Sequence, residues 1–140
     1  GSRLSPVTPA NDVVDANPQT LFEYVVEQLA PLGLAFIHII EGATGGPREL
    51  DDRPFDYEAL KAAYRRAGGK GAWMVNNGYD LPLAETAVAE GDDLVAFGRP
   101  FIANPDLVRR LREKAPLNTL DKATLYGGGA KGYTDYPALA

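Results

Sequence analysis

The feature that most constrains the fold is a regular alternation between short apolar runs and longer segments with helical periodicity. The runs LAFIHIIE (34–41), GAWMVNNG (71–78) and DLVAFGRP (93–100) are rich in β-branched and aromatic residues. Their nearly unbroken apolar character predicts strands that are buried on both faces. Such strands, separated by helices, pair in parallel through right-handed crossovers. The chain is therefore an α/β protein, either a doubly wound sheet or part of a (β/α)8 barrel.

Four helices are predicted around these strands. Asn17 caps the first helix, and Pro18 occupies its first position. The second begins near Asp56 and the third near Leu81. The fourth repeats the asparagine-then-proline start at residues 104–105. Its inward face is predicted to consist of Leu107, Val108 and Leu111.

The two ends of the chain do not continue this alternation. RLSP (3–6) is typical of the end of a further strand. YGGGAKGYTDYPALA (126–140) is rich in glycine and tyrosine, which predicts a loop that lies over a surface. Its GGG run lacks the following lysine-serine/threonine and the preceding apolar strand of a phosphate loop. Three strands and a stub are too few to close a barrel. Residues 1–140 are therefore interpreted as one incomplete domain.

Composition excludes several classes of function. The net charge is −5 and the basic residues are scattered, which argues against a nucleic-acid partner. The one basic cluster, RRLREK (109–114), is interpreted as a solvated helix face. No apolar run is long enough to span a membrane. The absence of cysteine excludes disulfides and thiolate metal sites and fits a cytoplasmic protein.

Two strand ends carry groups suited to an anion. Arg99 directly follows Gly98 at the end of the last apolar run, and Asn77 and Gly78 end the run before it. A glycine lets a backbone N–H approach a phosphate closely, and an arginine offers a planar fork of donors. The loops after the last two strands of (β/α)8 barrels form such a phosphate site. The alternative is that the glycines only make turns and Arg99 pairs with a carboxylate.

Other polar residues are weaker candidates. His38 is the only histidine and lies between isoleucines, so we interpret it as a satisfied interior residue rather than a catalyst. Glu41 ends the same strand, and we expect a structural hydrogen bond there. Trp73 and Met74 are expected in the core. No metal site is expected.

Four separated motifs carry a family resemblance: RLSP, NNGYD, FGRPFIANPDL and LYGGGAKGYTDYP. In order and spacing they resemble the C-terminal part of the Old Yellow Enzyme family of FMN-dependent ene reductases, in particular the bacterial N-ethylmaleimide and xenobiotic reductases. The resemblance covers the whole chain. It implies about the last two-fifths of a family member, with strands 6–8 and their helices, because a complete barrel needs roughly 250 residues or more.

The resemblance also implies residue roles. Arg3 matches the arginine that reaches the pyrimidine edge of the flavin, where a cation stabilises negative charge on the reduced ring. Tyr126 matches a tyrosine at the mouth of the substrate pocket. No catalytic residue is implied in this chain, since the groups that hold and protonate the substrate belong to the first half of the barrel. The residues that match the flavin-phosphate loops are Asn77, Gly78, Gly98 and Arg99.

The function implied by the resemblance is reduction of activated alkenes, such as enones, maleimides and nitro compounds, with NAD(P)H and FMN. The chain alone is expected to be inactive. A complementary N-terminal barrel fragment, or another copy of the chain, is the expected partner, because open sheet edges promote association. Two alternatives stay open: an inactive half-barrel that serves as an assembly module, and a different phosphate-binding barrel enzyme acting on a sugar phosphate.

Overall fold

A computed structural model describes residues 1–10, 13–127 and 129–140 of the chain. The chain divides into two compact units, Gly1–Ala96 and Phe97–Ala140. In the described ranges, no helix is both long enough and apolar enough to cross a membrane.

The first unit contains a four-stranded sheet. Its strands are β1 (Ser2–Leu4), β2 (Phe36–Ile40), β3 (Ala72–Asn76) and β4 (Leu94–Ala96). Their spatial order follows the chain, and all three neighbouring pairs are parallel. The predicted strands and the predicted stub at RLSP are therefore confirmed, as is their parallel pairing.

The helices of the first unit begin where short polar side chains cap them. They are α1 (Pro18–Leu29), α2 (Tyr57–Arg66) and α3 (Leu81–Ala89). The capping side chains accept hydrogen bonds from backbone N–H groups of the first turn, which have no partner inside the helix. These caps are Asn17, Asp56 and Asp80. The three predicted helices are confirmed.

The two faces of the sheet are buried to different extents. Ile37, Ile39, Trp73 and Val75 alternate along β2 and β3 and are all buried. The ring of Tyr64 in α2 lies 5.8 Å from that of Trp73, so helices cover this face. The other face includes Phe36, His38 and Met74, which are only half-buried. The expectation that β2 is buried on both faces is wrong for that second face, and Met74 is not a core residue.

The second unit begins with a helix that the sequence analysis missed. This helix, α4, spans Arg99–Ala103, and α5 spans Leu107–Glu113. The predicted start of a helix at Asn104 is wrong. Asn104 has an extended backbone, as expected for a residue before proline, and its side-chain amide donates to the carbonyl of Pro100. Val108 is 64% exposed, so its predicted inward position is also wrong.

Arg110 of α5 is the exception to the prediction that the basic cluster is a solvated face, because the other charged residues of the cluster are exposed. It is buried, pairs with the Asp106 carboxylate at 2.6 Å and donates to the carbonyls of Pro116 and Pro137. The C-terminal segment is thereby attached to α5. After a short 3-10 turn at Lys122–Thr124, the described residues 125–127 and 129–140 form neither helix nor strand, as predicted for the tail. Gly128 of the GGG run lies outside the described residues.

Candidate functional site

A buried hydrogen bond joins the carboxyl ends of β2 and β3. Glu41 follows β2, and its Oε2 accepts a 2.7 Å hydrogen bond from the hydroxyl of Tyr79, which follows β3. The same oxygen lies 3.3 Å from Nε of Arg48, and the guanidinium of Arg48 lies 4.6 Å from the centre of the Tyr79 ring. The predicted structural hydrogen bond of Glu41 is thus confirmed.

Burial and these contacts determine the protonation states of Glu41 and Tyr79. Burial raises the pKa of the Glu41 carboxyl, while the Tyr79 hydrogen bond and the Arg48 charge oppose that rise. Burial, and then the hydrogen bond to Glu41, raises the pKa of Tyr79 well above its usual range. Tyr79 therefore remains protonated at neutral pH and acts as the donor.

The loop after β2 is held at several points. It starts at Gly42, whose φ is +60°, and a Cβ at this residue would collide with the backbone carbonyls of Pro47 and Arg48. The N–H of Gly42 donates to the hydroxyl of Tyr57 at 2.7 Å. The sequence therefore needs glycine where the chain leaves the strand, because only glycine fits this close approach.

This loop encloses a cavity of about 460 Å³, a volume in the range of small-molecule sites. Its wall contains both acidic and basic side chains beside two aromatic rings. The centroids of those rings, Phe55 and Tyr57, are 4.8 Å apart. The lining residues are Val7, Glu41, Arg48, Glu49, Leu50, Asp51, Arg53, Pro54, Phe55 and Tyr57.

The half-buried face of the sheet carries a cation beside an imidazole. Arg3 is exposed and is the register partner of His38 on the neighbouring strand. Nε2 of His38 is buried, and no group among the described residues forms a hydrogen bond with it. Burial and, secondarily, the charge of Arg3 hold the pKa of His38 below its usual 6.5. The expectation of a fully satisfied histidine is therefore wrong, and the ring is neutral at pH 7.

The turn after β3 contains two of the sequence-predicted phosphate residues. Gly78 has a φ of +71°, a left-handed conformation that favours glycine. Asn77 is buried, and its side chain forms hydrogen bonds with the loop after β2. In this structure the Asn77 amide is therefore engaged by the protein itself.

The other two predicted phosphate residues belong to the second unit. Gly98 precedes α4, and Arg99 is the first residue of that helix. A Cβ built at Gly98 would meet no atom within 4 Å, so space is open beside this backbone. Tyr126, predicted at the substrate mouth, also lies in this unit and is 88% exposed.

Several residues of the site escaped the sequence analysis. Tyr79 stands inside the NNGYD motif, but nothing in the motif indicates that its hydroxyl reaches Glu41. Arg48 lies in a loop of irregular sequence that gives no periodic signal. Their partners lie 7 to 38 residues away in the chain, which local patterns do not reveal.

Comparisons with known proteins show which family this chain is similar to. Residues 1–118 match the family described as "NADH:flavin oxidoreductase / NADH oxidase family". The chain is 37% identical to 12-oxophytodienoate reductase 2 of Arabidopsis thaliana, over 99% of this chain and 36% of that protein.

Solved structures give the same result. An old yellow enzyme homologue from Zymomonas mobilis is 37% identical with a TM-score of 0.86, covering 99% of this chain and 38% of that one. Morphinone reductase is also 37% identical with a TM-score of 0.81, covering 98% and 35%. The chain thus spans less than half the length of these relatives.

The matched region fits the C-terminal portion of a (β/α)8 barrel, as the resemblance implied. Members of the family bind FMN and use NAD(P)H, and morphinone reductase has been solved with tetrahydroNAD. The chain belongs to the NADH:flavin oxidoreductase / NADH oxidase family, the family of the Old Yellow Enzyme and its relatives.

Proposed function

We propose that this chain is the FMN-binding part of an ene reductase that reduces activated alkenes with NAD(P)H. The observation that carries the proposal is the family match over residues 1–118 together with a cation, Arg3, on the half-buried face of the sheet. The proposal includes the class of alkene that is reduced and the need for a segment that completes the barrel.

The residues present fit a flavin mononucleotide. Arg3 is exposed, and the neighbouring imidazole of His38 has a buried nitrogen without a partner among the described residues. An anionic heterocycle with hydrogen-bonding edges suits such a surface. The open space beside Gly98 leaves room for a bulky anion close to its backbone.

We assign the binding roles as follows. Arg3 would lie at the pyrimidine edge, where its charge favours the reduced ring. Tyr126 would contact the substrate. FMN, when bound, would take hydride from the nicotinamide and pass it to the β-carbon of the alkene, while a proton adds at the α-carbon. By the family resemblance, the segments that would contact the flavin phosphate are the turn with Asn77 and Gly78 after β3 and the turn with Gly98 and Arg99 after β4.

We further propose that the chain works together with a segment that completes the barrel, either a complementary N-terminal fragment or a second copy. The support is the half-buried face with Phe36 and Met74, which the closed barrel of a family member would enclose. We call the resulting assembly the completed barrel. We place it in the cytoplasm, in keeping with the lack of cysteine.

The test is flavin binding by the completed barrel. The purified and desalted wild-type protein should retain the visible flavin spectrum. Arg99→Ala should weaken FMN binding about ten- to a hundredfold, the value of a charge-assisted hydrogen bond. Arg112→Ala is the matched control, because this arginine lies on an exposed part of α5 and should leave binding unchanged.

Enone-dependent NADPH oxidation separates the enzyme from an inactive assembly module. Turnover of an enone by the flavin-loaded protein supports the proposal. A protein that binds no flavin, or that prefers a phosphorylated sugar to FMN, would contradict it.

A further inference from the structure

Asn77 has a backbone conformation that asparagine rarely adopts. Its φ is +112°, beyond the left-handed helical region near +60° that asparagine tolerates best. Such a conformation is unfavourable in a non-glycine residue and persists only where the surroundings impose it. The side chain of Asn77 must therefore make contacts that offset this cost.

Those contacts use both ends of the side-chain amide. Nδ2 donates to the carbonyl of Glu41 at 2.6 Å and to that of Ala43 at 2.9 Å. Oδ1 accepts from the N–H of Gly45 at 3.0 Å. Asn77 is only 6% exposed, so these bonds are shielded from water. One side chain thus fastens the loop after β2 to the end of β3.

Gly78 lies between two residues, Asn77 and Tyr79, whose side chains both form hydrogen bonds with Glu41. On one side Asn77 holds the loop backbone, and on the other the Tyr79 hydroxyl donates to the Glu41 carboxylate. Because the residues before and after Gly78 are both tied to Glu41, the orientation of the Gly78 peptide is fixed from both sides. Arg48 packs nearby, since a Cβ at Gly78 would lie 3.8 Å from its Cγ.

We propose that Asn77 is a positioning residue: its side chain fixes the turn so that the backbone N–H of Gly78 is held ready for the flavin phosphate. The inference rests on the proposed function. It differs from the role that the family resemblance implies for Asn77, because the amide is engaged by the chain's own loop and acts through its neighbour.

The test compares FMN with riboflavin, which lacks the phosphate, in the completed barrel. Asn77→Gly removes the three hydrogen bonds while permitting the same backbone, since glycine adopts positive φ readily. We expect this variant to bind FMN about tenfold more weakly, the effect of losing roughly one net hydrogen bond's free energy at the phosphate. Riboflavin binding should change less than twofold. General structural damage would weaken both ligands alike.

Asn17→Gly is the matched control. Asn17 caps α1, where replacement by glycine costs only a few tenths of a kcal/mol, and it should bind both flavins as the wild type does. Hydrogen exchange gives a second readout: the amide of Gly45 should exchange faster in Asn77→Gly, because the variant lacks the Asn77 oxygen to which this amide donates.

Each outcome is decisive. An unchanged ratio of FMN to riboflavin affinity in Asn77→Gly overturns the positioning role while leaving the proposed function standing. Equally weakened binding of FMN and riboflavin leaves this ratio unchanged and therefore overturns the positioning role as well. A wild-type completed barrel that binds neither flavin overturns the proposed function and, with it, this inference.

Discussion

The two faces of the four-stranded sheet differ in what this chain provides to cover them. On one face Ile37, Ile39 and Trp73 are fully or almost fully buried, and the ring of Tyr64 from α2 packs against that of Trp73. On the other face Phe36, His38 and Met74 are only half-buried. The chain closes one side of its sheet by itself and leaves the other partly open.

The polar groups are distributed in accordance with this difference. Arg3 lies on the half-buried face together with Nε2 of His38, which has no partner among the described residues. The helix-covered face has apolar side chains in β2 and β3. In a closed (β/α)8 barrel the second face is the interior, which is filled by side chains from all the strands. The comparison therefore indicates which surface a completing segment would cover.

The largest expected effect is a difference in stability between the two faces. Ile39→Ala should lower the free energy of unfolding by about 2–5 kcal/mol, because it opens a cavity in the closed face. Met74→Ala removes a side chain of similar size from the half-buried face and should cost less than about half as much. Urea denaturation of the isolated chain measures both values.

Equal losses of stability in Ile39→Ala and Met74→Ala would contradict the difference between the two faces of the sheet. They would mean that the second face is covered in solution, for example by another copy of the chain. Measuring the two variants at several protein concentrations distinguishes this case, because the stability of an associated form depends on concentration.

The sequence predicted those features that local chemistry determines. Strands β2 to β4 follow from apolar runs, and α1 to α3 follow from a cap and a helical period. The caps Asn17 and Asp56 have the expected bonds to the third residue after them. Residues within one turn of each other decide such features, so a single sequence contains the information.

The contacts of the site depended on distant residues. Asn77 bonds to a carbonyl 34 positions away, and the Tyr79 hydroxyl reaches a carboxylate 38 positions away. Burial of Arg110 likewise depends on Pro137, 27 positions further along the chain. The sequence identified the motif that contains Asn77 and Tyr79 but not these partners, because tertiary folding brings them together.

A smaller effect on stability is expected from the hydroxyl of Tyr64, in the helix α2 that covers one face of the sheet. Tyr64 is fully buried, and its hydroxyl accepts a 3.1 Å hydrogen bond from the N–H of Gly71. Tyr64→Phe keeps the ring against Trp73 but removes this acceptor, so it should lower the free energy of unfolding by about 1 kcal/mol. Tyr24→Phe, at a 59% exposed tyrosine of α1, should have no measurable effect. A result for Tyr64→Phe equal to this control would show that water replaces the lost acceptor.

The smallest expected effect is a dependence on pH that belongs to the half-buried face. The pKa of His38 is lowered in the folded chain, by burial and then by Arg3, so the unfolded chain binds its proton more tightly. The stability associated with a neutral His38 is therefore complete above pH 6.5 and decreases as the pH falls below that value. His38→Leu removes this contribution, so the difference in free energy of unfolding between wild type and variant should be constant above pH 6.5 and should change as the pH falls below that value.

Arg3→Gln sharpens the measurement, because it removes the nearby positive charge that lowers the pKa of His38. This variant should therefore lose less stability at acid pH than the wild type does. The subtraction of His38→Leu from wild type cancels the titration of the carboxylates, which both proteins share. A difference that does not vary with pH would contradict a neutral, unpartnered His38. It would show that His38 binds its proton equally well in the folded and the unfolded chain, so that burial on this face does not lower its pKa.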